Sequence, residues 1–233
     1  MSLFQLGERE SVADVARTLS RFVDGIVART NVHQDIVDLA YYAGVPIING
    51  LSDLQHPCQA LADLFTIHEK LNTLKGVPIA YVGDGNNNVC YSLMLGCALT
   101  GARIVVAAPK KYEPLSAVVT QAKKIAKATS AEILLTDDPR KAVKGARVIY
   151  ADTFVSMGQE KEGKKRLKDL KNYQVNAKLT KLADKNYYFM HCLPAHRGQE
   201  VTEDVIDSAH SIIFDQAENR LHVQKAILKF LYK

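Results

Sequence analysis

No stretch of this 233-residue sequence approaches the roughly 20 consecutive apolar residues needed to span a membrane. The first residues do not pair a charged segment with an apolar one, so no secretory leader is expected. Cysteine is scarce. Cys58, Cys90, Cys97 and Cys192 form no CxxC pair and no zinc spacing. That excludes a disulfide scaffold and points to reduced thiols, a cytoplasmic location, and neither metal nor cofactor. There is no internal repeat and no low-complexity segment. Charge of one sign is also sparse: the net charge is +5 and the pI about 8.9. So mild a surplus suits small anions and is too diffuse for nucleic acid. The densest basic run, 161–171, is broken by acids and reads as a solvated face.

What is present is globular. Hydrophobic residues make up 47% and charged residues 24%, enough for one or two domains with real cores. Ser11 and Asp14 form a capping box before a helix carrying Val12, Val15, Ala16, Leu19 and Phe22/Val23. A strand ending at Arg29, a helix over 34–43 stopped by Gly44, and a strand over 45–48 follow. Pro57 opens another helix, and a boundary falls near Leu74-Lys75-Gly76. Strands are then expected at 77–82, 103–107, 132–135, 147–151, 187–190 and 211–214. Helices are expected after Asn88, over 117–128, after Pro139, over 201–208, and in a final amphipathic segment using Val223, Ile227, Phe230 and Leu231. Strand and helix alternate throughout, the rhythm of parallel sheets. The expected fold is α/β with two doubly wound parallel-sheet domains. Residues 1–74 form the first, which is incomplete, and residues 75–216 the second; a helix over 217–233 packs back on the first.

Reactive groups gather at strand ends, where open α/β sheets bind ligands. Tyr187-Tyr-Phe-Met190 runs into His191-Cys192-Leu193-Pro194-Ala195-His196-Arg197-Gly198, bringing two imidazoles, a thiol and a guanidinium to one place. Asp152 follows another strand, beside a loop with Gly158 and Gly163. His56 falls at the N-cap of the Pro57 helix and Gln59 at its third position. Both sit by the free N–H groups and positive end of the helix dipole, which attract anions. That end should also lower the imidazole pKa. The alternative is that His56 merely caps the helix. The turn Gly83-Asp84-Gly85-Asn86-Asn87-Asn88 lacks the third glycine of a dinucleotide fingerprint, and no acidic residue ends the next strand, so nicotinamide binding is disfavoured. Its asparagines suit a small carboxylate or, alternatively, turn and capping chemistry.

Five elements in order resemble the aspartate/ornithine carbamoyltransferase family, in its ornithine-using branch. They are His56-Pro57-Cys58-Gln59, Gly83-Asp84-Gly85-Asn86-Asn87, Asp152 with Ser156-Met157-Gly158, His191-Cys192-Leu193-Pro194, and Ala217-Glu218-Asn219-Arg220. The resemblance implies transfer of a carbamoyl group from carbamoyl phosphate to the side-chain amine of L-ornithine, giving L-citrulline and phosphate. It implies that Arg29, His56, Gln59, Arg220 and the Leu193 carbonyl meet carbamoyl phosphate. Asn87, Asp152, Ser156 and the Met157 backbone would hold the amino-acid end of ornithine, with Cys192 close to the reacting amine. The Ser156-Met157-Gly158 loop would close over it. A trimer-based homo-oligomer is also implied.

The family's Ser-x-Arg-Thr phosphate loop has no counterpart in these residues. The expectation is therefore a chain that begins midway through the first domain, with carbamoyl-phosphate binding by it an open question. Two other readings compete: a non-catalytic ornithine-binding or regulatory remnant, and a carbamoyltransferase for a related amine such as putrescine or an acylated ornithine.

Overall fold

The computed structural model describes residues 6–7, 10–156 and 159–232. The chain opens with helix α1, Val12–Leu19. Ser11 caps it by accepting from the Asp14 N–H at 3.1 Å, and its hydroxyl donates to the Asp14 carboxylate at 2.8 Å, as the sequence suggests. The helix stops sooner than its apolar spacing implies: Phe22 lies past the end and is exposed. Strand β1 (Ile26–Arg29), helix α2 (His33–Tyr42) and strand β2 (Ile47–Leu51) follow, and β1 and β2 pair in parallel. Helix α2 ends on an extended Ala43, so Gly44 does not act as a left-handed stop. Helix α3, Pro57–Leu71, starts on its proline and ends on left-handed Asn72. These elements form a first lobe around a two-stranded sheet.

The second lobe is a five-stranded, all-parallel sheet ordered β5-β4-β3-β6-β7. Its strands are β3 (Pro78–Val82), β4 (Arg103–Ala107), β5 (Glu132–Thr136), β6 (Val148–Ala151) and β7 (Tyr188–His191). Helices α4 (Asn88–Thr100), α5 (Ser116–Thr129), α6 (Pro139–Val143), α7 (Gly163–Leu170) and α8 (Ala177–Thr180) connect them, and α9 (Glu203–Ile206) follows the last strand. Alternate strand residues face two cores. Ile79, Tyr81, Val106, Tyr150 and Met190 point to one, and Ala80, Val82, Ile149, Ala151 and Phe189 to the other. That is a doubly wound sheet covered on both faces. Helix α4 is apolar nearly all round because it is buried between the sheet, α3 and α5. Gly96 allows the α3 contact: a Cβ there would stand 2.6 Å from Leu64.

Three expectations about the end of the chain are corrected. Ser211 makes a single bridge to Phe189, and no strand forms over 211–214. Phe189 donates to His210 O, Ile212 donates to Phe189 O, and then the backbone turns helical. The helix expected over 201–208 shrinks to α9. The last helix, α10, begins at Ile213 and runs to Leu231, four residues ahead of the expected start. It buries Ile213, Gln216 and Asn219, whereas Phe230 is 72% exposed. The seam against α3 is polar: Asn219 donates to Thr66 Oγ1 at 3.0 Å, and Lys70 pairs with Asp215.

Candidate active site

The chain order reverses between neighbouring strands β3 and β6, so a crevice opens beyond their carboxyl ends. The turn after β3 supplies Asn87 as N-cap of α4. Its Oδ1 accepts from Cys90 N at 2.8 Å, while its Nδ2 donates to Tyr81 Oη at 2.9 Å and Asp84 O at 2.8 Å. All three asparagines are hydrogen-bonded within the protein, but Asn87 alone caps the helix. Asn86 accepts from the Tyr91 hydroxyl, and Asn88 donates to Ser52 O at 2.6 Å, tying α4 to the first lobe.

Beyond β6 and β7 lie Asp152 and Cys192. The thiol donates to Asp152 Oδ1 at 3.1 Å. Burial raises the Asp152 pKa, with the Cys192 S–H and the Thr153 N–H acting the other way. Burial, and then Asp152, push the Cys192 thiol well above its ordinary value, so it is neutral at neutral pH. His191 is buried as well. Its Nδ1 accepts from Leu193 N at 2.9 Å, which puts the ring proton on Nε2, 3.3 Å from the buried Glu200 carboxylate. Leu193 is held at φ 58° before a cis bond to Pro194.

The first lobe brings His56, Gln59 and Arg29. His56 sits at the N-cap of α3, but its side chain makes no cap bond, so the capping alternative fails. Its backbone N–H donates to Ser92 Oγ at 2.7 Å, and Ser92 donates onward to Asn88 O at 2.8 Å. The first turns of α4 thus position the His56 loop. Burial, then Arg220, then Arg29 lower the imidazole pKa to about 4. The direction matches the sequence argument, but desolvation leads. Arg220 Nη1 donates to Gln59 Oε1 at 3.0 Å. Arg29, Arg220 and Cys58 line one cavity of about 340 Å³, with Val27 and Ile227 among its apolar walls.

Two pairs of candidates are thus in direct contact, Gln59 with Arg220 and Cys192 with Asp152, and Arg29 shares a cavity with Arg220. Ser156 donates its N–H to Gln159 Oε1 at 3.2 Å. Met157 and Gly158 lie outside the described residues. His196 reaches Thr153 Oγ1 at 3.3 Å, but Arg197 turns to the surface and grips Asp207, its Nη2 2.8 Å from Oδ1. It does not join the cluster expected of this loop.

Sequence reasoning missed the groups beneath the site. Asp63, wholly buried, accepts from Gln59 Nε2 at 2.9 Å, Gln216 Nε2 at 2.6 Å and Tyr150 Oη at 3.0 Å. Its place four residues after Gln59, on a buried helix face, was the available signal. Arg166, within the run expected to be a solvated face, is buried against Asp84, donates to Phe154 O at 2.8 Å and lies over the Tyr112 ring. It is the helix position that turns inward beside buried Leu170.

A strand-order reversal, a carboxylate–thiol pair at the ends of β6 and β7, and guanidiniums lining a cavity on the first lobe's side define a two-lobed α/β protein built for small charged substrates. Residues 75–231 match the aspartate/ornithine carbamoyltransferase Asp/Orn binding domain, and residues 1–69 the carbamoyl-P binding domain of the same family. The chain is 56% identical over 227 residues to an ornithine carbamoyltransferase of Pyrococcus horikoshii, covering 97% of this chain and 71% of that one. It is 55% identical to the Bacillus subtilis enzyme of that name, covering 98% and 72%. The structure of the Pyrococcus furiosus ornithine carbamoyltransferase superposes with a TM-score of 0.93 at 56% identity, covering 97% and 72%. That of the Campylobacter jejuni anabolic enzyme gives 0.91 at 38%, covering 98% and 75%. The chain belongs to the aspartate/ornithine carbamoyltransferase family. Among the described residues, no helix is long and apolar enough to cross a membrane, and no cluster of His, Cys, Asp and Glu could hold a metal ion.

Proposed function

We propose that the protein transfers the carbamoyl group of carbamoyl phosphate to the side-chain amine of L-ornithine, releasing L-citrulline and phosphate. One observation carries this reading. Gln59, which bonds Arg220, and Tyr150, on the strand that leads to Asp152, donate to the same Asp63 carboxylate, and the His56 N–H bonds Ser92 of α4, so the two groups of candidates are joined through shared partners. Identity above 50% to proteins named for this activity, over nearly the whole chain, supports it.

Arg29 and Arg220 would bind the phosphate and carbonyl oxygens, with the Leu193 carbonyl as a further contact. Neutral His56 would donate one hydrogen bond to the carbonyl oxygen. Asp152 would pair with the α-ammonium of ornithine. Asn87 would meet its carboxylate by exchanging one of its present partners, and Ser156 and the Met157 backbone would complete the grip. The uncharged side-chain amine attacks the carbonyl carbon, a C–N bond forms, and the oxyanion gathers donors from His56 and the guanidiniums. The tetrahedral centre collapses by breaking the C–O bond to phosphate. The leaving phosphate takes the amine proton, so atoms balance between the two substrates alone. Positioning and electrostatics supply the rate. Cys192, neutral and bonded to Asp152, flanks the amine as a polar wall and is not a nucleophile. The expected assembly is trimer-based and the expected location cytoplasmic.

The test is citrulline formation from ¹³C-carbamoyl phosphate and ornithine, followed by mass spectrometry, with putrescine and N-acetylornithine as competing amines. Labelled citrulline, with ornithine preferred, is expected. No citrulline, or a preference for either other amine, rejects the reading.

A further inference from the structure

The Asp63 carboxylate touches neither substrate in the scheme above, yet three side chains from three elements converge on it: Gln59 of α3, Tyr150 of β6 and Gln216 of α10. Burial raises its pKa to about 6 against the pull of these donors and Arg220, and three side chains offering hydrogens to its two oxygens mark it as the ionised acceptor. An ionised carboxylate only accepts hydrogen bonds, and a guanidinium only donates. Gln59 lies between the two. Its Nε2 must face Asp63, and its Oε1 must face Arg220 at 3.0 Å, a guanidinium that itself lines the cavity shared with Arg29. Gln216 obeys the same logic. Its Nε2 donates to Asp63, and its Oε1 accepts from the His191 N–H at 2.9 Å, at the end of β7. One buried carboxylate orients two amides, one in each half of the site.

We propose that Asp63 is a positioning residue that fixes the Gln59 side-chain oxygen toward the crevice, so that the site selects an acyl phosphate bearing an NH₂ over one bearing a methyl group. The inference rests on the carbamoyl-transfer reading. When Arg220 turns to the substrate anion, Gln59 Oε1 is released, and Asp63 alone keeps the amide from flipping. The NH₂ of a carbamoyl group then supplies the missing donor. An acetyl group leaves the oxygen buried without one, the kind of mismatch that hydrogen-bonding sites reject strongly. With Asn at position 63 the constraint disappears, because an amide there can donate to Gln59 as readily as accept.

The experiment compares citrulline and Nδ-acetylornithine made from carbamoyl and acetyl phosphate by wild type, Asp63→Asn and Tyr150→Phe. Wild type should prefer carbamoyl phosphate by roughly 10³-fold or more in kcat/KM, and Asp63→Asn should lose at least about tenfold of that ratio. Tyr150→Phe removes a donor from Asp63 without touching Gln59 and should keep the ratio. A general loosening of the site lowers both products together. An unchanged ratio in Asp63→Asn, or an equal loss in Tyr150→Phe, overturns the proposal, as does a wild type indifferent to the acyl group. If wild type makes neither product, it is the transfer reading that fails. The amide orientation is then read by nitrogen-15 NMR on the same chain. Gln59 Nε2 protons protected from exchange and giving cross-peaks to the Gln216 amide support Asp63 as the orienting group, and freely exchanging protons overturn it. That measurement on wild type also decides the matter if Asp63→Asn does not fold.

Discussion

The Cys192 thiol donates a hydrogen bond to the Asp152 carboxylate across the ends of neighbouring strands β6 and β7, at 3.1 Å. Both groups are charge-averse where they lie, since burial raises both pKa values. The S–H donor pulls the carboxylate's pKa down, against burial. Cys192→Ser keeps an O–H donor and should change the ornithine KM less than about threefold. Cys192→Ala removes a hydrogen bond to a charged group and should raise that KM about tenfold or more. Initial-rate kinetics on both variants check this, and equal behaviour of the two would show that the bond does not matter.

Asp152→Asn separates binding from stability. The carboxylate is the proposed partner of the ornithine ammonium, and a charged hydrogen bond lost there should cost about 10–100-fold in affinity for ornithine. The fold responds the other way. A raised native pKa means the ionised form is less favourable in the native state than in the unfolded chain at neutral pH. A neutral amide should therefore melt at the same temperature as wild type or higher. Calorimetry of binding and of unfolding supplies the two readouts.

His56 has a native pKa of about 4 against 6.5 in the unfolded chain. Between those values the unfolded chain takes up a proton that the native imidazole refuses, so this residue's stabilising contribution falls as pH drops from 6.5 towards 4. Integrated from pH 7 to 4.5, the loss is about 2 kcal/mol. Asp63 and Asp84, each raised to about 6, act oppositely, because their native forms bind protons first. The useful quantity is thus the difference between wild type and His56→Asn. Urea titrations at both pH values should show the variant losing about 2 kcal/mol less than wild type on acidification. Parallel curves would mean that the imidazole titrates normally.

Arg166 and Asp84 form a buried ion pair that ties helix α7, and through Phe154 O the segment after Asp152, to the turn carrying Asn87. Removing one partner of such a pair costs about 3–5 kcal/mol. Arg166→Met should destabilise by that order and raise the ornithine KM, because the turn and the loop lose their common anchor. Chemical denaturation together with kinetics checks both. A variant stable to within 1 kcal/mol would place the pair among those replaceable by packing.

Much of the second lobe was readable from residues whose local preferences agree with their tertiary setting. Gly101 adopts the left-handed conformation that ends α4, Asp138 caps α6 before Pro139, and Arg103–Ala107 is a strand over the expected span. The site was readable where reactive side chains followed such strands, as at Asp152 and Cys192. What escaped was decided by partners distant in sequence. Ile212 and Ile213 have the apolar character of a strand, but only one bridge is available at the edge of β7, and helix geometry alone brings Gln216 and Asn219 onto α3. Arg166 sits among lysines that do face water, and nothing within its own segment reveals the carboxylate 82 positions away. Asp63 offered only its spacing from Gln59 as a signal, because the other two of its three donors arrive from β6 and α10.

Helix α10 begins in the second lobe's core with Ile213 and ends near the first lobe, where Tyr232 closes over Gly25 so tightly that a Cβ there would overlap its hydroxyl. Together with residues 72–77 between α3 and β3, it makes a second covalent tether between the halves. Two tethers define an axis where one would leave a swivel. Any relative movement of the two halves therefore has to turn about these two crossings, and Arg220 lies on the second.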